Sequence, residues 1–293
     1  MNGLMQGLAW LLLPMALTAQ ESSPAAWRPH EPAGYERFVE ADFTSPDGAA
    51  EGAVTRVGKW EGRGPRQGNL RFETDPTAPH SAPGVMTTRF PRGLLAGRGP
   101  VEVGAWAQSE GSGRRRYRSM YFTMWVKIQG TDFYQNSSGT KMGYFGYGRS
   151  PQRSPGNEGI IILEGRGAQH FTASAFKLHF YQGGHTRPER VLRQNVERRE
   201  LMTVGAWHQW ELLMQVNDMG QANGVLRMWI DGTQIMDYRN LTYITPQAPN
   251  GFYSWRWNPT WGGGQGPRIR DDFMQIDHVY ISGQPMAGGD DAE

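Results

Sequence analysis

Residues 207–237, WHQWELLMQVNDMGQANGVLRMWIDGTQIMD, decide the fold. In the first half Trp210, Leu212, Met214 and Val216 share one parity, while Gln209, Glu211, Gln215 and Asn217 share the other. A period of two is that of a strand with one buried face. Residues 217–224, NDMGQANG, are types that tolerate positive φ, so the chain reverses there. Alternation resumes with Leu226, Met228 and Ile230 toward the core and Arg227 and Trp229 opposite, until Asp231-Gly232 supplies a tight turn into a further strand over 233–237.

Toward the C-terminus, Gly251-Phe252-Tyr253-Ser254 leads through residues 258–264, NPTWGGG, to the alternating run 275–282, QIDHVYIS. The W-H-x-W-E strand at 207–211, the N…G-x-x-x-G loop at 217–224 and the W-I-D-G hairpin at 229–232 resemble concanavalin A-like jelly rolls. In the order of the closing strands the chain resembles jelly-roll polysaccharide lyases of the alginate lyase and glucuronan lyase kind. The resemblance implies an all-β fold, an antiparallel β-sandwich of jelly-roll type whose concave sheet forms a groove. Laminarinase-like hydrolases and sugar-binding domains share the W-x-D-G hairpin, so the likeness bears on the fold more than on the chemistry.

Composition agrees with one large β domain. The 293 residues include 39 Gly and 19 Pro, which suits many short strands and tight turns. There is no cysteine, which excludes disulfides, thiolate metal sites and a cysteine nucleophile. A formal net charge of +2 is too small to imply a nucleic-acid partner. Only Lys59, Lys127, Lys141 and Lys177 are lysines, so nearly all positive charge is arginine. The planar guanidinium fork suits carboxylate, sulfate or phosphate recognition, although a nucleotide composition favouring Arg codons gives the same count. Residues 4–19 are apolar but too short and too interrupted by Gln6 and Pro14 to span a bilayer. The expected organisation is a signal peptide at 1–19, a disordered linker at 20–34, the jelly roll at 35–284 and a disordered acidic tail at 285–293, in a secreted or periplasmic protein.

Further strands are expected over 38–43, 54–60, 69–74, 84–90, 159–164 and 173–182, with residues 186–199 a short helix or a rim loop. The longest alternation is 116–129, RYRSMYFTMWVKIQ. Met120, Phe122, Met124 and Val126 form its core face, and Tyr117, Tyr121, Trp125 and Lys127 lie opposite. Either that second face is a sugar-binding groove in which flat rings cover pyranose units, or both faces are buried between two sheets.

No Glu-x-Asp-x-Glu strand supplies the paired carboxylates of a retaining glycosidase. No H-x-H or H-x-x-x-H suggests a metal site, and there is no G-x-S-x-G elbow or P-loop. What remains is Lys177, His179 and Tyr181, alternate residues of one strand and therefore one row of one sheet face. β-Elimination on a uronic acid needs such a set: a base for the proton beside the carboxylate, a cation for the enolate, and an acid for the leaving oxygen.

The resemblance implies Tyr181 and His179 as base and acid, and Lys177, Tyr181 and Gln182 echo the closing residues of a lyase strand. Lys141 and Arg118 are the candidate carboxylate neutralisers. Arg116, Tyr117, Tyr121 and Trp125 are candidate substrate contacts on the long strand, as are Trp255 and Trp257 in YSWRWNPTWGGG, where the alternative is an indole plugging the sandwich. His170 and His185 are reserve candidates. Asp271, Asp272 and Asp277 are either a structural calcium site or solvated. No other cofactor is implied. The leading reading is a lyase of an anionic polysaccharide without nucleic-acid or membrane partners. The alternatives are a non-catalytic carbohydrate-binding jelly roll and, third, a glycoside hydrolase.

Overall fold

The structure, a computed structural model, describes residues 27–43, 59–62, 68–106, 115–130, 133, 139–148, 157–164, 170–172, 176–181, 190–196, 200–262 and 266–287. Side chains at 59–62, 105–106, 170–172, 176–177, 181 and 200–201 are not among those described. The expected signal peptide, most of the tail, Gln182 and His185 lie outside the described residues.

Seventeen strands form among the described residues. In chain order the first nine are β1 (Glu36–Ala41), β2 (Lys59–Gly62), β3 (Leu70–Thr74), β4 (Gly84–Phe90), β5 (Val103–Trp106), β6 (Tyr117–Gln129), β7 (Thr140–Tyr147), β8 (Asn157–Leu163) and β9 (His170–Thr172). The rest are β10 (Phe176–Tyr181), β11 (Arg190–Arg193), β12 (Glu200–Thr203), β13 (Trp207–Gln215), β14 (Gly224–Ile230), β15 (Thr233–Leu241), β16 (Ser254–Thr260) and β17 (Asp272–Pro285). They make an eight-stranded sheet ordered β15-β14-β13-β6-β17-β4-β3, with β1 also on β17, and a seven-stranded sheet ordered β11-β10-β8-β7-β16-β5-β2. A small β12-β9 pair stands apart. Every pairing is antiparallel. No helix among the described residues is long and apolar enough to cross a membrane.

The two sheets pack face to face because each carries an apolar row of one parity. From the eight-stranded sheet come Met120, Phe122, Met124 and Val126 of β6, Trp210, Leu212 and Met214 of β13, and Met228 of β14. Met142 and Phe145 of β7, Ile161 and Leu163 of β8, and Leu178 and Phe180 of β10 face them.

Trp255 and Trp257 belong to this interior, which corrects their expected contact with sugar. Both are 0% exposed. The Trp255 ring packs on Phe122 of the opposite sheet at 4.0 Å between centroids. The Trp257 indole N–H donates across the core to Thr88 Oγ1 at 3.0 Å. A buried indole N–H without a partner costs free energy, and for Trp257 the threonine on the opposing strand β4 provides the partner. Trp261 is buried too, donating to the Gly266 carbonyl at 3.0 Å.

The segment expected to be a linker is docked from Trp27 onward. Residues 27–35 form a strap across the outer face of the eight-stranded sheet, where Trp27 and Tyr35 join Tyr121, Leu213, Trp229 and Tyr280 in a second apolar cluster. Gln209 Nε2 donates to the Trp27 carbonyl. His30 stacks on Trp229 at 4.2 Å and bonds the buried Glu211 carboxylate at 3.0 Å. Glu31 accepts from the Tyr280 and Ser282 hydroxyls, at 2.8 and 2.5 Å. The second face of β6 is therefore covered by the strap at Tyr121 while Trp125 stays half-buried, so this face is neither an open groove at Tyr121 nor packed against a second sheet.

Residues 186–199, expected as a helix or loop, contain β11 instead. Leu192 is buried, while Val191 and Arg193 are exposed on the other side. This edge strand pays no penalty for its charges, since one face and one edge meet solvent.

Candidate functional site on the outer face of the seven-stranded sheet

With one sheet covered by the strap, the outer face of the other defines the candidate site. Pairing registers fix which residues share it. One row reads Val191, His179, Ile160, Tyr144, Arg256 and Gly104 across β11, β10, β8, β7, β16 and β5. The row beside it passes through Arg193, Lys177, Ile162, Lys141 and Thr260. Adjacent strands lie about 4.8 Å apart, so His179 and Tyr144 stand roughly 10 Å apart at the backbone, with Ile160 between them.

Local sequence explains how these side chains come to face outward. Met142 points into the core and Gly143 meets the Trp255 ring, so β7 takes one extra residue between Lys141 and Tyr144, marked by a register shift against β8. This bulge keeps both Lys141 and Tyr144 on the outer face. Gly143 is required there: a Cβ would lie 2.1 Å from the Trp255 ring. Tyr144, Ile160 and Ile162 form a small apolar cluster separate from the core, which gives the face a hydrophobic floor. Lys141 and His179 are half-buried at its edges.

Arg256 is the face's second organising cation. Its guanidinium lies 5.3 Å from the Tyr144 ring centroid, bonds Glu102 at 3.2 Å on one side and meets Glu158 on the other. Asn258 Nδ2 reaches the second Glu102 oxygen at 3.4 Å.

Among the expected site residues, the structure brings Lys141 and His179 to one sheet face. Lys177 and Tyr181 occupy β10 register positions opposite Ile162 and Glu158; their side chains lie outside those described. His170 pairs with Thr203 in the separate two-stranded sheet.

The candidates on β6 belong to the other sheet. Arg118 bonds Asp218 Oδ1 at 2.5 Å there, so it does not share a substrate carboxylate with His179. Tyr117 is buried against Phe38, with ring centroids 4.4 Å apart. Arg116 is buried 4.8 Å from the Tyr253 ring. Tyr121 donates to Glu211 at 2.5 Å; burial and that carboxylate push its phenol far above the ordinary value. Trp125 is half-buried on the strap side of β6, opposite Gln209 and Asp277. These five are corrections: Tyr117 and Arg116 are buried, Tyr121 lies under the strap, Arg118 is held by Asp218, and all five, Trp125 included, stand away from the sheet face that carries His179.

The three aspartates do not converge either. Asp271 pairs with Arg89 at 2.7 Å, Asp272 meets Arg268, and Asp277 accepts from the His80 and Ser81 backbone at 2.7 and 2.9 Å. Among the described residues no group of three His, Cys, Asp or Glu is placed to hold a metal.

Sequence reasoning missed Arg256, Tyr144 and Glu102. The signal for the first was present, since Trp255-Arg256-Trp257 has the alternation that puts two indoles in and one guanidinium out.

No protein-family model matches the chain, and no curated protein sequence does. Solved structures do. Alginate lyase Aly36B superposes with a TM-score of 0.58 at 14% identity, over 85% of this chain and 98% of its own. The marine PL-14 alginate lyase from Aplysia kurodai gives 0.55 at 11%, over 84% and 98%. The endo-β-1,4-glucuronan lyase from Trichoderma reesei gives 0.54 at 12%, over 87% and 98%. Aly36B has also been solved with alginate trisaccharide or tetrasaccharide, as variants in which a lysine and either a methionine or a tyrosine are changed to alanine. The chain is thus a jelly-roll β-sandwich, and it shares that fold with lyases of uronic-acid polysaccharides.

Proposed function

We propose that this protein is a polysaccharide lyase that cleaves a uronic-acid-containing polymer by β-elimination on the outer face of the seven-stranded sheet. The observation that carries the reading is Lys141 and His179 on one sheet face, in adjacent rows over an apolar floor, with Tyr181 two residues along the His179 strand.

The elimination needs three functions from these residues. Lys141 holds the uronate carboxylate and offsets the negative charge that develops on it when the neighbouring carbon loses its proton. His179 and Tyr181 divide the two proton transfers: one takes the proton from C5, and the other delivers a proton to the glycosidic oxygen as the C4–O bond breaks and the C4=C5 double bond forms. No water is consumed and no metal is required by this balance. The fold likeness supports the reading, as does the kinship of residue types, since alginate-bound Aly36B variants lack a lysine and, in one case, a tyrosine. A polymer substrate also suits an exported enzyme, with residues 1–19 as the export signal.

The test is a spectrophotometric assay for the unsaturated product on alginate, glucuronan and mixed uronate polymers. Lys141→Ala, His179→Asn and Tyr181→Phe should each lower the rate by roughly 10²–10⁴ while the protein stays folded. Retained polymer binding without elimination in the wild type would instead make the face a non-catalytic carbohydrate-binding surface. Release of reducing ends without a double bond would make the protein a hydrolase.

A further inference from the structure

The outer face is electrically divided, and the division bears on which sugar sits where. Lys141 has no carboxylate within ion-pairing distance among the described residues, and it lies at the end of the face toward Arg193. Arg256 lies one strand over and toward the other end, and its charge is already committed. Glu102 and Glu158 hold it from both sides, and Tyr144 lies beneath it. Two carboxylates against one guanidinium leave that region with a net negative charge. Each carboxylate is still one-third exposed, so the charge meets whatever lies on the face.

An Arg bonded to two glutamates cannot also offer its fork to a substrate carboxylate without displacing one of them, and a second anion there meets like charge. Half-exposed carboxylate oxygens are good acceptors for sugar hydroxyls. From this we infer that the Glu102–Arg256–Glu158 bridge is a specificity determinant. It admits an uncharged sugar unit beside the uronate that Lys141 binds, so the preferred polymer alternates uronic acid with neutral sugar. The inference deepens the lyase reading and rests on its choice of sheet face. The proton transfers are assigned to His179 and Tyr181 and not to the bridge; Glu102 and Glu158 act by what they exclude.

Wild type and the Glu102→Gln/Glu158→Gln variant would be compared on two substrates, a homopolymer of uronic acid and a polymer alternating uronic acid with neutral sugar. Elimination rate and polymer binding would be measured separately, with thermal unfolding as the check on folding. The wild type should favour the alternating polymer, and the variant should shift the ratio of kcat/KM toward the homopolymer by about tenfold or more, because neutralising the glutamates frees Arg256 for a second carboxylate. Glu102→Gln alone, which leaves Glu158 on Arg256, should give a smaller shift of the same sign. A wild-type preference for the homopolymer, or an unchanged ratio in both variants, overturns the inference even if elimination is vigorous. If no polymer is eliminated, the lyase reading fails alone, and the same ratio taken from binding decides the inference. If neither polymer binds, both fail.

Discussion

Gly159 has no side chain because Phe145 occupies the space one would take: a Cβ there would lie 1.9 Å from the ring. The ring is locked between sheets against Phe180 and Phe252, so it cannot move aside freely. Gly159→Ala should therefore cost about 1–3 kcal/mol, read as a lower urea midpoint at unchanged slope. At the same scale, Trp257→Phe removes the donor to Thr88 and part of a fully buried ring. A loss of about 1–3 kcal/mol is expected from the orphaned hydroxyl and the small void together. Parity made the inward set on β6, β13 and β14 legible in the sequence. It would have placed Trp255 and Trp257 inward as well, but the following NPTWGGG made the region read as a loop. Gly-rich surroundings concealed a strand whose third member, Arg256, is the residue that matters on the face.

The strap over residues 27–35 is an element that no periodicity announces. It docks through scattered side chains, Trp27, His30, Glu31 and Tyr35, each meeting a different partner, and Pro- and Ala-rich sequence between them looks like linker. Its contribution should be large for its length. His30→Ala removes a partner of the Glu211 carboxylate, which is 1% exposed, and takes the stacked ring from Trp229. About 1–3 kcal/mol of stability should be lost, measured by chemical denaturation. Tyr121→Phe should show strong coupling with that change in a double-mutant cycle, because both side chains serve one carboxylate. Element β11 was hidden for the opposite reason: its flanking charges suggested a solvent-exposed excursion, which an edge strand also is. The sheet face holding Lys141 and His179 was half legible, since β10 displayed its alternation while the pairing that brings β16 and Arg256 beside β7 is non-local and leaves no mark on either segment.

At the scale of the whole molecule, acid should unfold this protein through the region where β1, residues 80–81 and β17 meet. His278 Nδ1 lies 2.6 Å from Ser81 Oγ and its Nε2 lies 3.1 Å from Glu40, with Trp27 tilted against His80 and edge-on to His278. The hydrogen bond from His278, together with Arg37, draws Glu40 down to about 2 from 4.5. Its folded value is depressed, so its contribution is present above pH 4.5 and is lost as pH falls toward 2. Burial, with the neighbouring His278, lowers His80 to about 4 from 6.5. The folded state again binds fewer protons than the unfolded one, and stability falls as pH drops from 6.5 to 4. Asp277, raised by burial, opposes this trend. Unfolding midpoints measured from pH 7 to pH 3 should fall monotonically, and His80→Gln should flatten the portion above pH 4. A midpoint independent of pH over that range would refute the assignment.

Strand β17 lies against β6 from Phe273 to Pro285, and its other edge is shared by β4 and then β1. The eight-stranded sheet therefore has its latest strand at its middle, and what precedes it in the chain amounts to three separated pieces, β1 alone, the β3-β4 pair and the β6-β13-β14-β15 group. During synthesis, β1, β3 and β4 wait on one side and β6, β13, β14 and β15 on the other, each with an open edge, until residues beyond 272 leave the ribosome. Sheet closure therefore waits for β17, with long loops to close, which makes folding slow and the waiting edges prone to pair with other chains. A chain stopped at residue 270 should not be a weaker version of this protein but an aggregating one, and a chaperone that shields strand edges should raise the yield of the full chain more than any single stabilising substitution.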